Sequence, residues 1–413
     1  MRAAGRAAKH TLSSLPRKLV YGVALSLIYI LLIYISNDYT SFLYFFLICL
    51  GISFLPIFGL LSGLLRSFML LAVALLVMSL LPAALLQGDY RTLPANMDLV
   101  IDISSENIPG IEGPQHITTD AEGYRTGDQV IRYDDETPYR IFAIGASTTE
   151  QAYLDDARTW TRLLEANLNA LFSHPVEVIN TGVAGLRMVH HLATQEHVED
   201  LNPDLLLWLV GINDWNRQVT RYFDADPRFV APLSARLKQR FRRSVAFTFY
   251  QIYVALPQRS TLTVRHAHFT AMTDRASRPD VVRYLPTAVS EDFAATMAQL
   301  AARCHQGPYR CMLMTQPNAY ALDAPASQRQ YFRLTPPRRS YTLDIESLVH
   351  IARLYNGFVR DFAAKEQLPL CDLEAIVPKG TEAFYDDAHF NTSGARIVAE
   401  AMTACIVDQL PEP

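Results

Sequence analysis

The chain first offers reactive chemistry in the stretch Arg140-Ile-Phe-Ala-Ile-Gly-Ala-Ser-Thr-Thr-Glu150. Ile141 to Ile144 read as a buried strand that Gly145 ends, and Ser147 follows two residues later. Open α/β sheets carry their reactive groups at the carboxyl ends of such strands, so Ser147 is the candidate nucleophile. A serine hydroxyl attacks only when a base takes its proton. Asp386-Asp-Ala-His389 supplies one: His389 is the base, and Asp386, three residues earlier, is placed to accept the imidazole N–H and steady the imidazolium. Two further strand ends offer donors to a developing oxyanion. Asn180-Thr-Gly-Val-Ala-Gly185 presents a backbone N–H at Gly185, and Gly211-Ile-Asn213-Asp214 presents a side-chain amide at Asn213. With the N–H of Ser147 itself these make a three-donor oxyanion hole, and the chemistry they suit is acyl transfer.

Each piece taken alone has a plainer reading. A serine after a strand is commonly a helix cap, Gly182 and Gly185 can simply permit a turn, and Asn213 and Asp214 can cap a helix. Gly-x-Ser also occurs at Gly51-Ile-Ser53, inside an apolar run. The combination carries the reading, because all four motifs fall in one order at strand-to-helix junctions. Gly185 is preferred to Gly182 on its spacing from Asn180. His190-His191 suggest a metal, but adjacent side chains on a helix point apart and no carboxylate pair accompanies them. No metal and no cofactor is expected. Glu150 either caps the helix after Ser147 or lines the pocket. Asn391-Thr-Ser393 matches a glycosylation acceptor, yet its place beside His389 argues against attachment.

The elements that must position these residues alternate from Tyr139 onward. Strands are expected at 141–144, 176–180, 205–210, 311–314 and 368–373. Helices are expected at 160–172, 188–200, 291–304, 345–365 and 393–410. Buried strands separated by amphipathic helices predict an α/β domain with a doubly wound parallel sheet over 139–413. Residues 88–138, rich in proline and glycine, read as an extended connector. Between Trp215 and Ser290 the alternation breaks, which marks an insertion or cap. Leu233 to Ala255 reads as a helix, basic at Arg236, Lys238, Arg240, Arg242 and Arg243 and aromatic later. It is either a solvated face of the cap or a membrane-surface helix that collects an anionic or lipid-linked substrate.

Composition divides the chain more sharply. Of 413 residues 50% are apolar, and between Leu19 and Gln87 the only charges are Asp38 and Arg66. Three transmembrane helices fit residues 19–87: Leu19–Ser36, about 27 Å of helix at 1.5 Å per residue, then Ser41–Leu61 and Ser67–Gln87. Arg2, Arg6, Lys9, Arg17 and Lys18 make a basic segment over 1–18 that belongs in the cytoplasm. Three crossings put everything after Gln87 on the outer side of a bacterial inner membrane, in the periplasm, whereas two would leave it in the cytoplasm. The bilayer is thus the expected partner. A net charge of −4 with no basic run suited to phosphates gives no reason to expect nucleic acid. Cys304, Cys311, Cys371 and Cys405 lie in the large domain. Cys304 and Cys311 are close enough to pair, but small buried thiols in strands explain them at least as well.

The order Ser147, Gly185, Asn213, then Asp386 with His389, resembles the SGNH hydrolases, often called the GDSL-type esterase/lipase superfamily, over about residues 138–411. The resemblance implies a flavodoxin-like αβα sandwich, a serine nucleophile, an Asp-x-x-His dyad and the same three oxyanion donors. The first block departs from the eponymous Gly-Asp-Ser, reading Gly145-Ala-Ser147, but the Gly-x-Ser core remains. The expected function is an esterase removing acetyl or longer acyl groups from an envelope glycan or lipid. The family also contains O-acyltransferases using the same triad on polysaccharide, and a catalytically idle membrane scaffold is the third reading.

Overall fold

A computed structural model describes residues 89–102, 108–127, 129–229, 240, 263–266, 280–329, 331–332 and 341–409. The basic amino terminus and the three expected spans lie outside the described residues, as does all but one residue of the helix expected over 233–255. Among the described residues no helix is long and apolar enough to cross a membrane.

The segment expected as a connector is more structured than a linker. It holds β1 (Asp98–Asp102) and β2 (Gln115–Thr118), paired antiparallel, and its backbone docks on the domain where the Arg125 N–H donates to the Asn180 carbonyl at 2.9 Å. The alternating core then runs β3 (Tyr139–Gly145), α1 (Ser147–Glu150), α2 (Trp160–Leu171), β4 (Val176–Asn180), α3 (Met188–Val198), β5 (Leu205–Leu209) and α4 (Ile212–Asp224). Two short strands follow, β6 (Thr263–His266) and β7 (Asp280–Val282), then α5 (Glu291–Gln306), β8 (Arg310–Met314) and α6 (Ala326–Arg329). The chain continues through β9 (Tyr341–Leu343), α7 (Ile345–Glu366), β10 (Leu370–Cys371), α8 (Leu373–Ile376) and α9 (Thr392–Gln409).

Five strands form the central sheet in the order β4-β3-β5-β8-β10, every pairing parallel. Numbered in chain order these read 2-1-3-4-5, the flavodoxin arrangement, whose reversal of direction opens a crevice beyond the carboxyl ends of β3 and β5. Right-handed crossovers on either side of that reversal send α2 to one face, where it packs on α9. They send α3, α5 and α7 to the other, where α3 packs on α5 and α7 on α4. Both sheet faces are therefore covered. That is why β5 is apolar at every position, Leu205-Leu-Leu-Trp-Leu209, with no residue exposed.

Helix starts follow their caps. Thr159, Ser290 and Asp344 accept the N–H three residues on at the heads of α2, α5 and α7.

Several expectations need correction. The helix after β3 begins at Ser147 itself, as a single turn, and not first at Trp160. The insertion begins later than Trp215, because α4 is part of the core: Ile212, Trp215, Val219 and Phe223 recur at helical spacing and are all buried. β6 and β7 lie inside the insertion and pair parallel with β1 and β9, but at four and three residues they are too short to show an apolar run. The last strand shrinks to Leu370–Cys371, since Asp372 turns aside to bind Thr315 Oγ1 (2.8 Å) and Arg360 Nε (2.8 Å). All four domain cysteines are paired rather than free: Cys304 with Cys311 ties α5 to β8, and Cys371 with Cys405 ties β10 to α9.

Candidate active site

Ser147 stands at the end of β3 because Gly145 lets α1 fold tightly against the sheet. A Cβ at Gly145 would lie 2.1 Å from Thr149 Oγ1 and 2.9 Å from the Leu209 carbonyl. As the first residue of its helix, Ser147 has an N–H with no intrahelical acceptor, directed with the helix start toward the crevice. A four-residue helix does not hold itself, and here other elements take up its terminal carbonyls. Asn180 Nδ2 donates to Thr149 O (2.7 Å), and Arg125 Nη1 donates to Glu150 O (2.6 Å) and Gln151 O (2.8 Å).

Ser147 Oγ lies 2.7 Å from His389 Nε2, and His389 Nδ1 lies 2.7 Å from Asp386 Oδ2 and 2.9 Å from Oδ1. Asp386 is in turn oriented by its own loop, Oδ1 accepting the backbone N–H groups of Ala388 (2.9 Å) and His389 (2.8 Å). Its carboxylate is fully buried while the imidazole keeps partial access to solvent. Tyr385 stacks on the imidazole, centroids 5.5 Å apart and nearly coplanar in tilt. Asp387 faces elsewhere and accepts from Tyr320 Oη at 2.7 Å. One carboxylate of the pair therefore serves the histidine.

The two remaining strand ends meet beside the serine. Gly182 packs on α1 so closely that a Cβ there would come 2.2 Å from Glu150 N, whereas Gly185 has φ +81° and open space around its Cα. The two glycines thus divide the work, Gly182 for close approach and Gly185 for a left-handed turn that exposes its backbone. Asn213 sits in the first turn of α4 and donates Nδ2 to Leu186 O at 2.8 Å, which brings the amide alongside Gly185. An amide carries two N–H groups, so one ties the loop and a second remains. Next to it, buried Asp214 accepts the Met188 N–H at 3.1 Å, and desolvation pushes its carboxyl up to about 7.

One residue of consequence escaped the sequence reading, and a second takes its place only in the fold. Arg125, in the supposed connector, is only 2% exposed and adds Leu154 O and Asp156 Oδ1 to the carbonyls it caps. No motif announces it; a buried arginine shows only in three dimensions. Glu150, for which the sequence left capping and pocket lining open, is half-buried, and its carboxylate accepts the Ala184 N–H. Burial raises its acid strength threshold above the usual glutamate range, offset by that hydrogen bond and by Arg125 and His389.

Other candidates resolve as structure. His190 and His191 are core histidines, desolvation holding them down at about 4 and about 3, and His190 Nδ1 accepts the Arg187 N–H at 3.0 Å. The Asn391 amide is buried and donates to Thr381 O at 2.9 Å, which leaves no nitrogen exposed for a glycan. Among the described residues no cluster of three or more His, Cys, Asp or Glu could hold a metal ion.

Solved structures with similar chain paths include LAE5, an alpha/beta hydrolase enzyme from the metagenome of Lake Arreo, Spain, 18% identical with a TM-score of 0.38, covering 65% of this chain and 94% of that one. Axe2, an acetylxylan esterase from Geobacillus stearothermophilus, is 14% identical with a TM-score of 0.38, covering 66% and 97%. A GDSL-like lipase from Bacteroides thetaiotaomicron VPI-5482 is 13% identical with a TM-score of 0.37, covering 68% and 93%. No curated protein matches the sequence. The model of the GDSL-like Lipase/Acylhydrolase family matches residues 143–397, more than half of the chain and all five residues singled out above, and the chain belongs to that family.

Proposed function

We propose that this chain is a serine esterase in which Ser147 attacks the acyl carbonyl. The observation that carries the reading is the continuous contact from Ser147 Oγ through His389 to Asp386. His389 takes the hydroxyl proton as the Oγ–carbon bond forms, and Asp386 stabilises the resulting imidazolium. The tetrahedral oxyanion is received by the N–H groups of Ser147 and Gly185 and the amide of Asn213. Collapse breaks the ester bond, His389 returns the proton to the departing alcohol, and water repeats the sequence on the acyl-enzyme to release the acid.

The substrate we propose is an acetyl or longer acyl ester on an envelope glycan or lipid at the outer face of the membrane. Three apolar spans after a basic amino terminus support that address, and so does the pairing of all four domain cysteines, a state that oxidising compartments favour. The test is labelling of the full chain with a fluorophosphonate, together with turnover of p-nitrophenyl esters from acetate to palmitate. Labelling at Ser147, abolished in Ser147→Ala, is the expected result, and a wild-type chain unlabelled at Ser147 ends the reading. With an acceptor glycan added, acylated sugar in place of free acid assigns transferase chemistry to the same triad.

A further inference from the structure

Gly185 is the only proposed oxyanion donor that a loop carries, so something must hold its N–H in direction. The residues on both sides of it are held. On one side the Ala184 N–H is taken by the Glu150 carboxylate; on the other the Leu186 carbonyl is taken by the Asn213 amide at 2.8 Å. The two anchors come from different strand ends, α1 after β3 and α4 after β5. Glu150 belongs to the same single helical turn as Ser147, so its anchor ties the loop directly to the nucleophile's own element. The glycine at 182 permits this, since any Cβ there would strike the Glu150 backbone.

A half-buried carboxylate gives up part of its hydration, and one backbone N–H returns only some of that. Arg125 favours the Glu150 carboxylate through its charge but gives its donors to the Glu150 and Gln151 carbonyls and to Asp156.

We propose that Glu150 is a positioning residue of the oxyanion hole, its carboxylate fastening the Ala184 N–H so that the Gly185 N–H is aimed at the oxyanion formed on attack by Ser147. The inference rests on the esterase reading above and adds a residue to it. Its mode of action is indirect, through the loop, so it should lower turnover without changing how the ester binds in its ground state.

The experiment compares wild type, Glu150→Gln, Glu150→Asp and Glu150→Ala as full chains in detergent. It measures kcat and KM on p-nitrophenyl acetate, the inhibition constant of methylboronic acid, and Tm. Gln keeps an acceptor oxygen at the same reach, Asp keeps the charge but withdraws it by one methylene, and Ala removes both. Loss of a whole oxyanion donor costs roughly 10²–10³ in kcat, so misaiming one in Glu150→Ala should cost on the order of tenfold, with KM within about twofold. The boronate, whose tetrahedral adduct needs the same donors, should weaken in parallel. Gln should recover most of the loss, and Asp should resemble Ala. If Ala fails to fold, the Gln and Asp pair still decides the matter. Unchanged kcat in both Ala and Asp, a kcat loss without weaker boronate binding, or a Gln variant no better than Asp overturns the inference. A wild-type chain that neither turns over nor labels at Ser147 overturns the esterase reading and this inference with it, a result distinct from the other three.

Discussion

At the scale of single residues, Asn213 and Asp214 show how adjacent side chains on one helical turn divide a task. Asn213 reaches the loop at Leu186 with one N–H, its other being the donor proposed for the oxyanion, while Asp214 takes the Met188 N–H and steadies the start of α3. Asn213→Ala should therefore lower kcat by roughly 10²–10³ with the fold intact, measured against circular dichroism and Tm; unchanged turnover removes Asn213 from the oxyanion hole. For Asp214 the prediction is one of stability. Burial raises its carboxyl from 3.8 to about 7, opposed by the Met188 N–H and Arg187 and assisted by Asp292. Between those values the folded chain holds a proton that the unfolded chain has released, so stability from this group is complete below about pH 4 and lost as pH rises through about 7. Three units correspond to something on the order of 4 kcal/mol. Asp214→Asn abolishes the titration, so the Tm of the variant relative to wild type should climb from pH 4 to pH 8. Parallel curves across that range would refute the assignment. The five proposed site residues were readable as candidates, Ser147, Gly185 and Asn213 because each follows a strand, and Asp386 with His389 because of their i, i+3 spacing. Arg125 and the role of Asp214 were not, because what distinguishes them is burial, and a charged residue in a sequence reads as exposed.

Among the elements, the strand-helix alternation was readable at the four longer strands of the central sheet and at the helices α2, α3, α5, α7 and α9. It failed where packing rather than pattern makes the element. α1 is a single turn that exists because Arg125 and Asn180 cap its carbonyls, so no local signal could separate it from a loop. α4 was hidden because Gly211-Ile-Asn-Asp214 reads as a turn until Trp215, Val219 and Phe223 are seen on one buried face. The segment 88–138 read as a linker on its prolines and glycines, although it delivers Arg125 into the domain. That arginine allows an element-scale prediction. Arg125→Met would take the arginine donors from Asp156 Oδ1 and from the Glu150, Gln151 and Leu154 carbonyls, a break of the kind that costs about 3–5 kcal/mol. Lys supplies a single point of charge in place of a planar fork, so Arg125→Lys should recover little. Urea unfolding should register the loss, and the folded fraction should label more slowly with fluorophosphonate because α1 carries Ser147. An unfolding midpoint and labelling rate both equal to wild type would show that α1 stands without Arg125.

For the whole molecule, the number of membrane crossings and the state of the cysteines must agree. An odd number of spans before Gly88 exports the domain from a cytoplasmic amino terminus, and an even number retains it, where thiols are kept reduced. The two disulfides differ in what they hold. Cys304 and Cys311 are seven residues apart, while Cys371 and Cys405 are 34 apart and join the edge strand β10 to α9, the helix that follows His389. In the chain-entropy account the longer loop gains about 4 kcal/mol and the shorter about 2 kcal/mol. An exported domain would thus depend on oxidation for a sizeable part of its stability, and one retained in the cytoplasm would go without it. The check is thiol trapping of the full chain in intact bacterial cells with a maleimide-polyethylene glycol reagent after acid quenching, alongside an alkaline phosphatase fusion at the carboxyl end. Three crossings predict an active phosphatase and no mass shift from the four domain cysteines until a reductant is added. Cys371→Ser with Cys405→Ser should then lower Tm more than Cys304→Ser with Cys311→Ser. An inactive fusion with all four thiols trapped would place the domain on the cytoplasmic side, and with it the search for an acyl ester substrate.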